Sequence, residues 1–199
     1  MERIFQNTKQ VAENRQFCTF YYGNEIFSKK EIDEIKEGCD NLETNEATTF
    51  GDSGKDIRKG QVAWIPRSDT QNHWLYQKLS SLALQANTVH WQFDLMGFWE
   101  DAQYATYTDE DGGDHYDYHL DIDGSYGVQR KVSMVVQLTD PSEYEGGELE
   151  LKCRGKSWTA NKELGSALVF PSYVLHKVHP VTKGKRNSLV LWVSGLPFR

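Results

Sequence analysis

The feature that most constrains the fold is a series of short apolar runs separated by turn residues, which begins near Trp91 and continues almost to the end of the chain. Runs of this length and spacing are typical of β-sandwiches and barrels. They predict strands at 103–107, 116–122, 131–138, 148–151, 167–170, 175–178 and 188–193. The expected class is mainly β with flanking helices (α+β): an antiparallel sandwich or jelly roll with helices packed against its outside.

The segment 132–138 shows strand alternation most clearly. Its apolar residues occupy one parity and its polar residues the other: Val132, Met134, Val136 and Leu138 against Ser133 and Gln137. Successive side chains of a strand point to opposite faces of the sheet. One face of this strand is therefore expected in the core, and the other is expected to face something polar.

Two helices are predicted before residue 91. The first starts after Phe27, where Ser28 can cap, Glu31 can complete a capping box and Phe27 can pack against Ile32. The second covers 70–90. Both carry apolar residues at helical spacing: Ile32, Ile35, Cys39 and Leu42 in the first, and Leu75, Leu79, Leu82, Ala86 and Val89 in the second. The polar segment 44–59 has no period and is predicted to be a loop.

Length and composition predict one domain over 1–199, with a helical support region at 1–90 and a strand-rich core at 91–199. The net charge of -7 argues against nucleic acid as a partner. No apolar run is long enough to cross a bilayer, and the first residues lack a signal-peptide layout, which predicts a cytoplasmic protein without a membrane partner. The three cysteines form no CxxC pair and are expected to be reduced. Nothing in the sequence predicts the oligomeric state.

The stretch Asp114-His-Tyr-Asp-Tyr-His-Leu-Asp-Ile-Asp123 contains the pattern His-x-Asp twice. Residues two apart on a strand share a face, so either pair offers an imidazole nitrogen and a carboxylate oxygen to one point. A single such pair is more often a surface hydrogen-bonded pair than a ligand set, and a third ligand must come from elsewhere. His176 and His179 are the candidates. Two histidines and one carboxylate leave up to three positions open on a metal, as expected for non-haem Fe(II) oxygenases.

Several ordered motifs accompany this stretch between residues 100 and 194. They are Tyr116-x-x-His119-x-Asp121, Glu145-Gly-Gly-Glu-Leu149, Gly165-x-Ala-Leu-Val-Phe-Pro171, His176-x-Val-x-Pro-Val-x-x-Gly-x-Arg186 and Leu191-Trp192. Together they resemble the Fe(II)- and 2-oxoglutarate-dependent dioxygenases, and most closely the prolyl-hydroxylase-like branch. Before residue 100 the resemblance is limited to a helical layout and Arg58-x-x-x-Val62-x-Trp64.

This resemblance implies a double-stranded β-helix core in which His119, Asp121 and His176 hold Fe(II). It also implies that Arg186 pairs with the distal carboxylate of 2-oxoglutarate, which suits a guanidinium that can form two parallel hydrogen bonds. The resemblance also implies O2 as the second co-substrate, and it allows ascorbate as an additional cofactor. Further co-substrate contacts are predicted for three polar residues, each of which could equally be a satisfied polar group on the barrel wall: Tyr107 from the family pattern, and Ser188 and Gln137 from their strand faces.

Strand parity alone does not choose between the two His-x-Asp pairs, because all four side chains share one parity. Tyr116 lies three residues before His119, as in the family, and apolar neighbours shield His119, so the second pair is favoured. His176 is favoured over His179 because residues three apart should face opposite sides of a strand. His115 and Asp117 are left as candidate contacts on the approach to the metal.

The predicted activity is hydroxylation of an unactivated C–H bond, with succinate and CO2 as co-products. The resemblance favours a prolyl residue of a peptide or protein as substrate, and a free amino acid or another small molecule is the alternative. Two other classes stay open. A hydrolytic zinc enzyme could use the same ligands, and a cupin-like module could bind a metal without turnover.

Overall fold

The computed structural model describes residues 20–47, 57–122 and 127–198. Within them lie the helices α1 (Lys29–Cys39) and α2 (His73–His90) and short 3-10 turns at Thr70–Asn72, Glu110–Gly112 and Pro141–Glu143. The strands are β1 (Tyr21–Gly23), β2 (Asn45–Glu46), β3 (Arg58–Lys59), β4 (Gln61–Ile65), β5 (Ala102–Thr108), β6 (His115–His119), β7 (Gln129–Gln137), β8 (Tyr144–Gly146), β9 (Leu149–Cys153), β10 (Lys156–Thr159), β11 (Ala167–Pro171), β12 (Leu175–Val178) and β13 (Val181–Gly195).

The strands form two antiparallel sheets. The larger sheet has the order β1-β11-β7-β13-β5-β4-β2, and β8 pairs with the beginning of β13. The smaller sheet has the order β10-β9-β12-β6-β3. Strand β13 is the longest and pairs with β7 on one side and β5 on the other. The prediction of a mainly β, antiparallel jelly roll with flanking helices is confirmed.

The larger sheet is covered on both faces. On one face, Met134 and Val136 of β7 pack in a single apolar cluster with residues of both helices, such as Ile32 and Leu79. On the opposite face, alternate residues such as Val135 pack in a second cluster with residues of the smaller sheet. Burial of apolar surface on the helix side is the main stabilising contribution of these elements.

Both predicted helices form, with small differences. Ser28 Oγ accepts from the Glu31 backbone N–H, and Glu31 accepts in return from the Ser28 N–H, which completes the predicted capping box. The second helix begins at His73, after a 3-10 turn, instead of at residue 70. Val89, predicted on the apolar stripe, is 64% exposed, whereas Trp91 just beyond the helix is buried in the core.

The region before residue 91 contributes strands as well as helices. The predicted loop 44–59 contains β2, which pairs with β4, and β3, which pairs with β6; residues 48–56 lie outside the described ranges. Two-residue strands are too short to show a period in the sequence. Strands β1, β2 and β4 belong to the larger sheet and β3 to the smaller one, and the predicted single domain with its division at residue 90 stays a prediction.

The cysteines differ in state. Cys39 is free and buried in the core, as predicted, whereas Cys153 is disulfide-bonded, so the prediction of reduced thiols is wrong for that residue. Pairing between distant cysteines cannot be deduced from their spacing. Among the helices of the described ranges, none has the length and hydropathy needed to cross a membrane.

Candidate metal centre

A β-bulge in β6 decides which of its side chains face the interior. His119 pairs with His176 of β12, and Tyr116 pairs with Val178, so three steps along β6 oppose two steps along β12. One extra residue in a strand interrupts the alternation of its side chains. Tyr116 and His119 therefore lie on the same side, with their rings stacked, although they are three residues apart.

The structure brings His119, Asp121 and His176 together. One ligand atom from each lies within 4.8 Å of the other two. The Nε2 atom of His119 is 3.6 Å from Asp121 Oδ1, and the Nε2 atom of His176 is 3.4 Å from Asp121 Oδ2. No other group of three metal-capable side chains occurs in the described part of the chain. Two imidazoles and one carboxylate suit Fe(II), so the residues present fit the metal that the resemblance implies.

Backbone carbonyls orient both imidazoles. His119 Nδ1 is 2.8 Å from the carbonyl oxygen of Asp117, and His176 Nδ1 is 2.9 Å from that of Val174. A carbonyl can only accept, so Nδ1 carries the proton in each ring and donates it. In the neutral rings, the Nε2 lone pairs are then available to bind a metal between them.

Burial and neighbouring groups shift the pKa values of all three side chains. Burial lowers the pKa of His119 to about 4, and the neighbouring His176 acts in the same direction, so His119 is neutral at neutral pH. Burial opposes ionisation of Asp121, but the two imidazoles hold the pKa of its carboxyl well below the usual range. Burial would lower the pKa of His176, yet the Asp121 carboxylate raises it overall.

Two buried serines hold Asp121. Ser133 Oγ donates to Asp121 Oδ2 at 2.7 Å and lies 3.0 Å from Ser172 Oγ, while the Asp121 backbone N–H donates to the Ser172 carbonyl. Ser133 belongs to the polar parity of β7. The prediction that this face meets something polar is therefore explained: it meets the carboxylate of the metal site.

A cavity of about 380 Å³ lies between the two sheets, and its wall contains the side chains of His119, Asp121 and His176. Trp64 is 38% exposed and marks the open end of the cavity, whereas Arg186 is 1% exposed. Of the predicted co-substrate contacts, Tyr107 and Ser188 also line it, and Gln137 reaches it through Arg186.

Arg186 is a buried cation without an anion. Its Nη1 donates to Ser188 Oγ at 3.3 Å and its Nη2 to Gln137 Oε1 at 3.1 Å, and the centroid of the Tyr107 ring is 5.6 Å from Cζ. Nε has no hydrogen-bond partner, and no acidic side chain of the described residues forms an ion pair with this guanidinium. Burying an unpaired charge is costly. A guanidinium in this state can accept an anionic partner such as a carboxylate.

The double glycine of Glu145-Gly-Gly-Glu-Leu149 makes room for this arginine. Gly147 has a φ of +64°, and a Cβ there would lie 2.9 Å from Arg186 Cδ and 3.0 Å from Val181 Cγ2. Gly146 has a φ of +75° and passes so close to the Pro180 carbonyl that a Cβ would lie 2.2 Å from its oxygen. Only glycine adopts this conformation with this clearance.

The other histidine candidates lie elsewhere. The side chains of His115 and Asp117 are not among those that line the cavity, and their role on the approach to the metal stays a prediction. Asp117 contributes its backbone oxygen to His119 instead. His179 turns away from the cavity and contacts the Glu150 carboxylate at 2.7 Å, as expected for a structural histidine.

The sequence interpretation missed part of the cavity wall. Gln103 and Arg58 face each other across it, and at the open end the Glu100 carboxylate holds Arg130 through two hydrogen bonds. The Arg130 guanidinium lies 3.8 Å from the ring centroid of Trp192. A signal existed for Gln103, which shares the parity of Ala105 and Tyr107 in its strand. None existed for the contacts between distant charged residues.

Fold and site together define a jelly-roll protein in which two histidines and one carboxylate that could hold a metal share a cavity with a buried arginine. Residues 102–194 match the family model described as the 2OG-Fe(II) oxygenase superfamily. This segment, just under half of the chain, is similar to that superfamily, whose name implies Fe(II) and 2-oxoglutarate.

Curated relatives point to the same superfamily. A PKHD-type hydroxylase from Idiomarina loihiensis is 29% identical over 150 residues, covering 74% of this chain and 64% of the relative. One from Gloeothece citriformis is 42% identical over 86 residues, covering 42% of this chain and 39% of the relative. The chain thus matches less than two thirds of these relatives' own length.

The fold is shared with solved prolyl hydroxylases. A Pseudomonas putida prolyl-4-hydroxylase superposes with a TM-score of 0.71 at 23% identity, covering 92% of this chain and 96% of that chain. A prolyl hydroxylase from Trichoplax adhaerens, solved with a peptide fragment of the hypoxia inducible factor oxygen degradation domain, also has a TM-score of 0.71, at 20% identity, with coverage of 93% and 86%.

Proposed function

We propose that this protein is a Fe(II)- and 2-oxoglutarate-dependent dioxygenase that hydroxylates an unactivated C–H bond of a prolyl residue in a peptide or protein. The observation that carries the proposal is the coexistence, in one cavity, of the His119, Asp121 and His176 cluster with a buried arginine that lacks a counter-charge. A metal ligand set alone would fit several classes of protein. The arginine adds a requirement for an anionic ligand next to the metal.

His119, Asp121 and His176 would hold the metal through Nε2, a carboxylate oxygen and Nε2. When bound, Fe(II) supplies the activation of O2, coupled to decarboxylation of 2-oxoglutarate to succinate and CO2. The protein keeps both imidazoles in the Nδ1–H form through the carbonyls of Asp117 and Val174. It also keeps one oxygen of Asp121 engaged by Ser133, which limits rotation of the carboxylate.

Arg186 would bind the distal carboxylate of 2-oxoglutarate. Ser188 and Gln137 fix two of its donors, so the guanidinium is held in place before the ligand arrives. Tyr107 forms the adjoining wall, where its ring faces the cation. Buried placement strengthens the attraction, because little water competes for either charge. No side chain needs to act as a general base.

The open end of the cavity has the character of a peptide-binding surface. Trp64 and Trp192 have ring centroids 6.4 Å apart there, and Arg130 and Glu100 offer charged and hydrogen-bonding groups beside them. Aromatic side chains provide apolar contact area, and polar neighbours can engage a peptide backbone. The peptide bound by the Trichoplax adhaerens enzyme supports a peptide substrate for this chain.

Hydroxylation of a free amino acid or another small molecule is the second candidate. It is favoured by the modest cavity volume of about 380 Å³, which would enclose a small substrate. A hydrolytic zinc enzyme would have no use for Arg186, and a cupin-like module would bind metal without forming product.

The test is product formation with purified protein, Fe(II), 2-oxoglutarate and air. We expect succinate, and a mass increase of one oxygen atom on proline-containing peptides. Without O2, the Fe(II) and 2-oxoglutarate complex should give a weak visible charge-transfer band. Absence of both the band and succinate would contradict the oxygenase proposal, whereas modification of free amino acids and not of peptides would replace only the substrate.

A further inference from the structure

Arg58 is a second buried arginine in the cavity wall, and the proposed reaction does not use it. It is 8% exposed and belongs to β3 of the smaller sheet. Its Nη2 donates to Gln103 Oε1 at 2.8 Å, and Gln103 belongs to β5 of the larger sheet. The hydrogen bond therefore joins the two sheets across the cavity and fixes the end of the Arg58 side chain.

The guanidinium of Arg58 also contacts an aromatic ring that leads to the metal centre. Its Cζ lies 4.5 Å from the centroid of the Tyr116 ring. The Tyr116 ring is stacked on the His119 imidazole, with centroids 3.4 Å and planes 8° apart. Burial raises the pKa of Tyr116 to about 12, so the ring stays a neutral phenol. A continuous series of contacts thus runs from Gln103 through Arg58 and Tyr116 to His119.

We propose that Arg58 is a positioning residue that fixes the orientation of His119 through Tyr116. The inference rests on the proposed function only in taking His119 as a metal ligand. The hydrogen bond from His119 Nδ1 to the Asp117 carbonyl restrains one ring atom, but the ring can still tilt about that bond. A flat contact on the face of the ring removes this freedom, and the cation on the far face of Tyr116 holds Tyr116 against it.

The charge of Arg58 and its position against Tyr116 should have opposite effects on metal binding, so an experiment can separate the two. A guanidinium near a divalent cation repels it, so the charge of Arg58 by itself weakens binding. Arg58→Lys keeps the charge but loses the planar group and the fixed hydrogen-bond geometry. A loss of affinity in this variant therefore reports on position, not on charge.

The experiment measures binding of Mn(II) and the visible spectrum of bound Co(II), neither of which requires turnover. Arg58→Lys should weaken Mn(II) binding about 10-fold, the lower range for residues that support metal ligands, and should change the Co(II) spectrum. Tyr116→Leu should do the same, whereas Tyr116→Phe, which keeps the ring, should retain affinity and spectrum. The double variant Arg58→Lys/Tyr116→Leu should be no weaker than Tyr116→Leu, because Arg58 acts through the ring.

Arg67→Lys is the matched control, since Arg67 is an exposed arginine paired with Asp101, and it should change nothing. Gln103→Ala removes this one hydrogen bond from the Arg58 guanidinium without touching the stack and should give a smaller loss in the same direction. Circular dichroism checks that each variant folds. Wild-type affinity and spectrum in Arg58→Lys, or additive losses in the double variant, would overturn the inference while leaving the proposed function intact. Failure of the wild-type protein to bind either metal would overturn the proposed function as well.

Discussion

Strand β7 presents different side chains to the two faces of the larger sheet. Towards the helices it places Val132, Met134 and Val136, none of which has measurable exposure. Towards the smaller sheet it places Ser133, which holds Asp121, and Gln137, which holds Arg186. The same backbone therefore supports a closely packed apolar layer on one side and the polar wall of a cavity on the other.

The difference separates stability from function within one strand. Apolar groups on the helix side stabilise the fold by leaving water and by filling space. The buried polar groups on the cavity side lose hydration, and among the described residues the Nε atom of Arg186 has no hydrogen-bond partner. Changes on the cavity side should therefore affect binding more than folding, and changes on the helix side should do the reverse.

The largest effect is expected from His119→Ala, which removes one of the three side chains proposed to bind the metal. We expect loss of the anaerobic charge-transfer band and of succinate formation, with little change in the unfolding temperature, because two ligands leave the metal weakly held. His115→Ala is the matched control, since His115 lies in the same strand outside the cavity, and it should retain both signals. Loss of turnover in His115→Ala alone would show that the other His-x-Asp pair holds the metal.

Arg186→Leu should weaken 2-oxoglutarate binding by about 100-fold or more, the range expected when one partner of a buried charge pair is removed. Without ligand, the variant should be as stable as the wild-type protein, because the uncompensated charge is removed as well. Isothermal titration calorimetry measures the affinity for 2-oxoglutarate, and thermal unfolding measures the stability without ligand. 2-Oxobutyrate, which lacks the distal carboxylate, should bind both proteins equally; a matching loss with that acid would place Arg186 elsewhere in the mechanism.

The reverse pattern is expected for Met134→Ala on the helix side. Removing this fully buried side chain should lower the free energy of unfolding by about 2–5 kcal/mol. For a chain of this size, each kcal/mol shifts the unfolding temperature by about 2–4 °C. Below that temperature, 2-oxoglutarate should bind with wild-type affinity. Met96→Ala, at a 56% exposed methionine, should leave stability unchanged. A loss of affinity in Met134→Ala would mean that the two faces are coupled.

Local patterns in the sequence predicted the structural features that depend only on neighbouring residues. The capping box at Ser28 and the alternation of 132–138 both follow from chemistry within a few positions, and both are present in the structure. The grouping of His119, Asp121 and His176 agrees with a prediction that needed the family resemblance to choose the ligands. Parity alone left His115 open.

The features that the sequence did not predict depend on long-range geometry. One extra residue in β6 turns Tyr116 and His119 to the same side, and alternation cannot show such an insertion in advance. The contact of Arg58 with Gln103 joins residues 45 positions apart in different sheets. Strand β3, which carries Arg58, has only two residues and so leaves no periodic signal.

The smallest predicted effect is a pH-dependent change in stability from the contact between the two helices. Glu31 closes the capping box of α1 and contacts Lys78 of α2, and the hydrogen bond from Lys78 lowers the pKa of Glu31 to about 2. Because the folded-state pKa lies below the unfolded value, this carboxylate stabilises the fold above about pH 4.5, and the contribution is lost as the pH falls towards 2. Glu31→Gln keeps the capping geometry but removes the charge, so it should cost about 0.5 kcal/mol at pH 7 and much less at pH 2. Urea unfolding at several pH values measures the difference, with Lys78→Met and the double variant completing the cycle. A difference that is undiminished at pH 2 would contradict the role of the Glu31 charge, and one accompanied by weaker 2-oxoglutarate binding would contradict the separation between the two faces of the sheet.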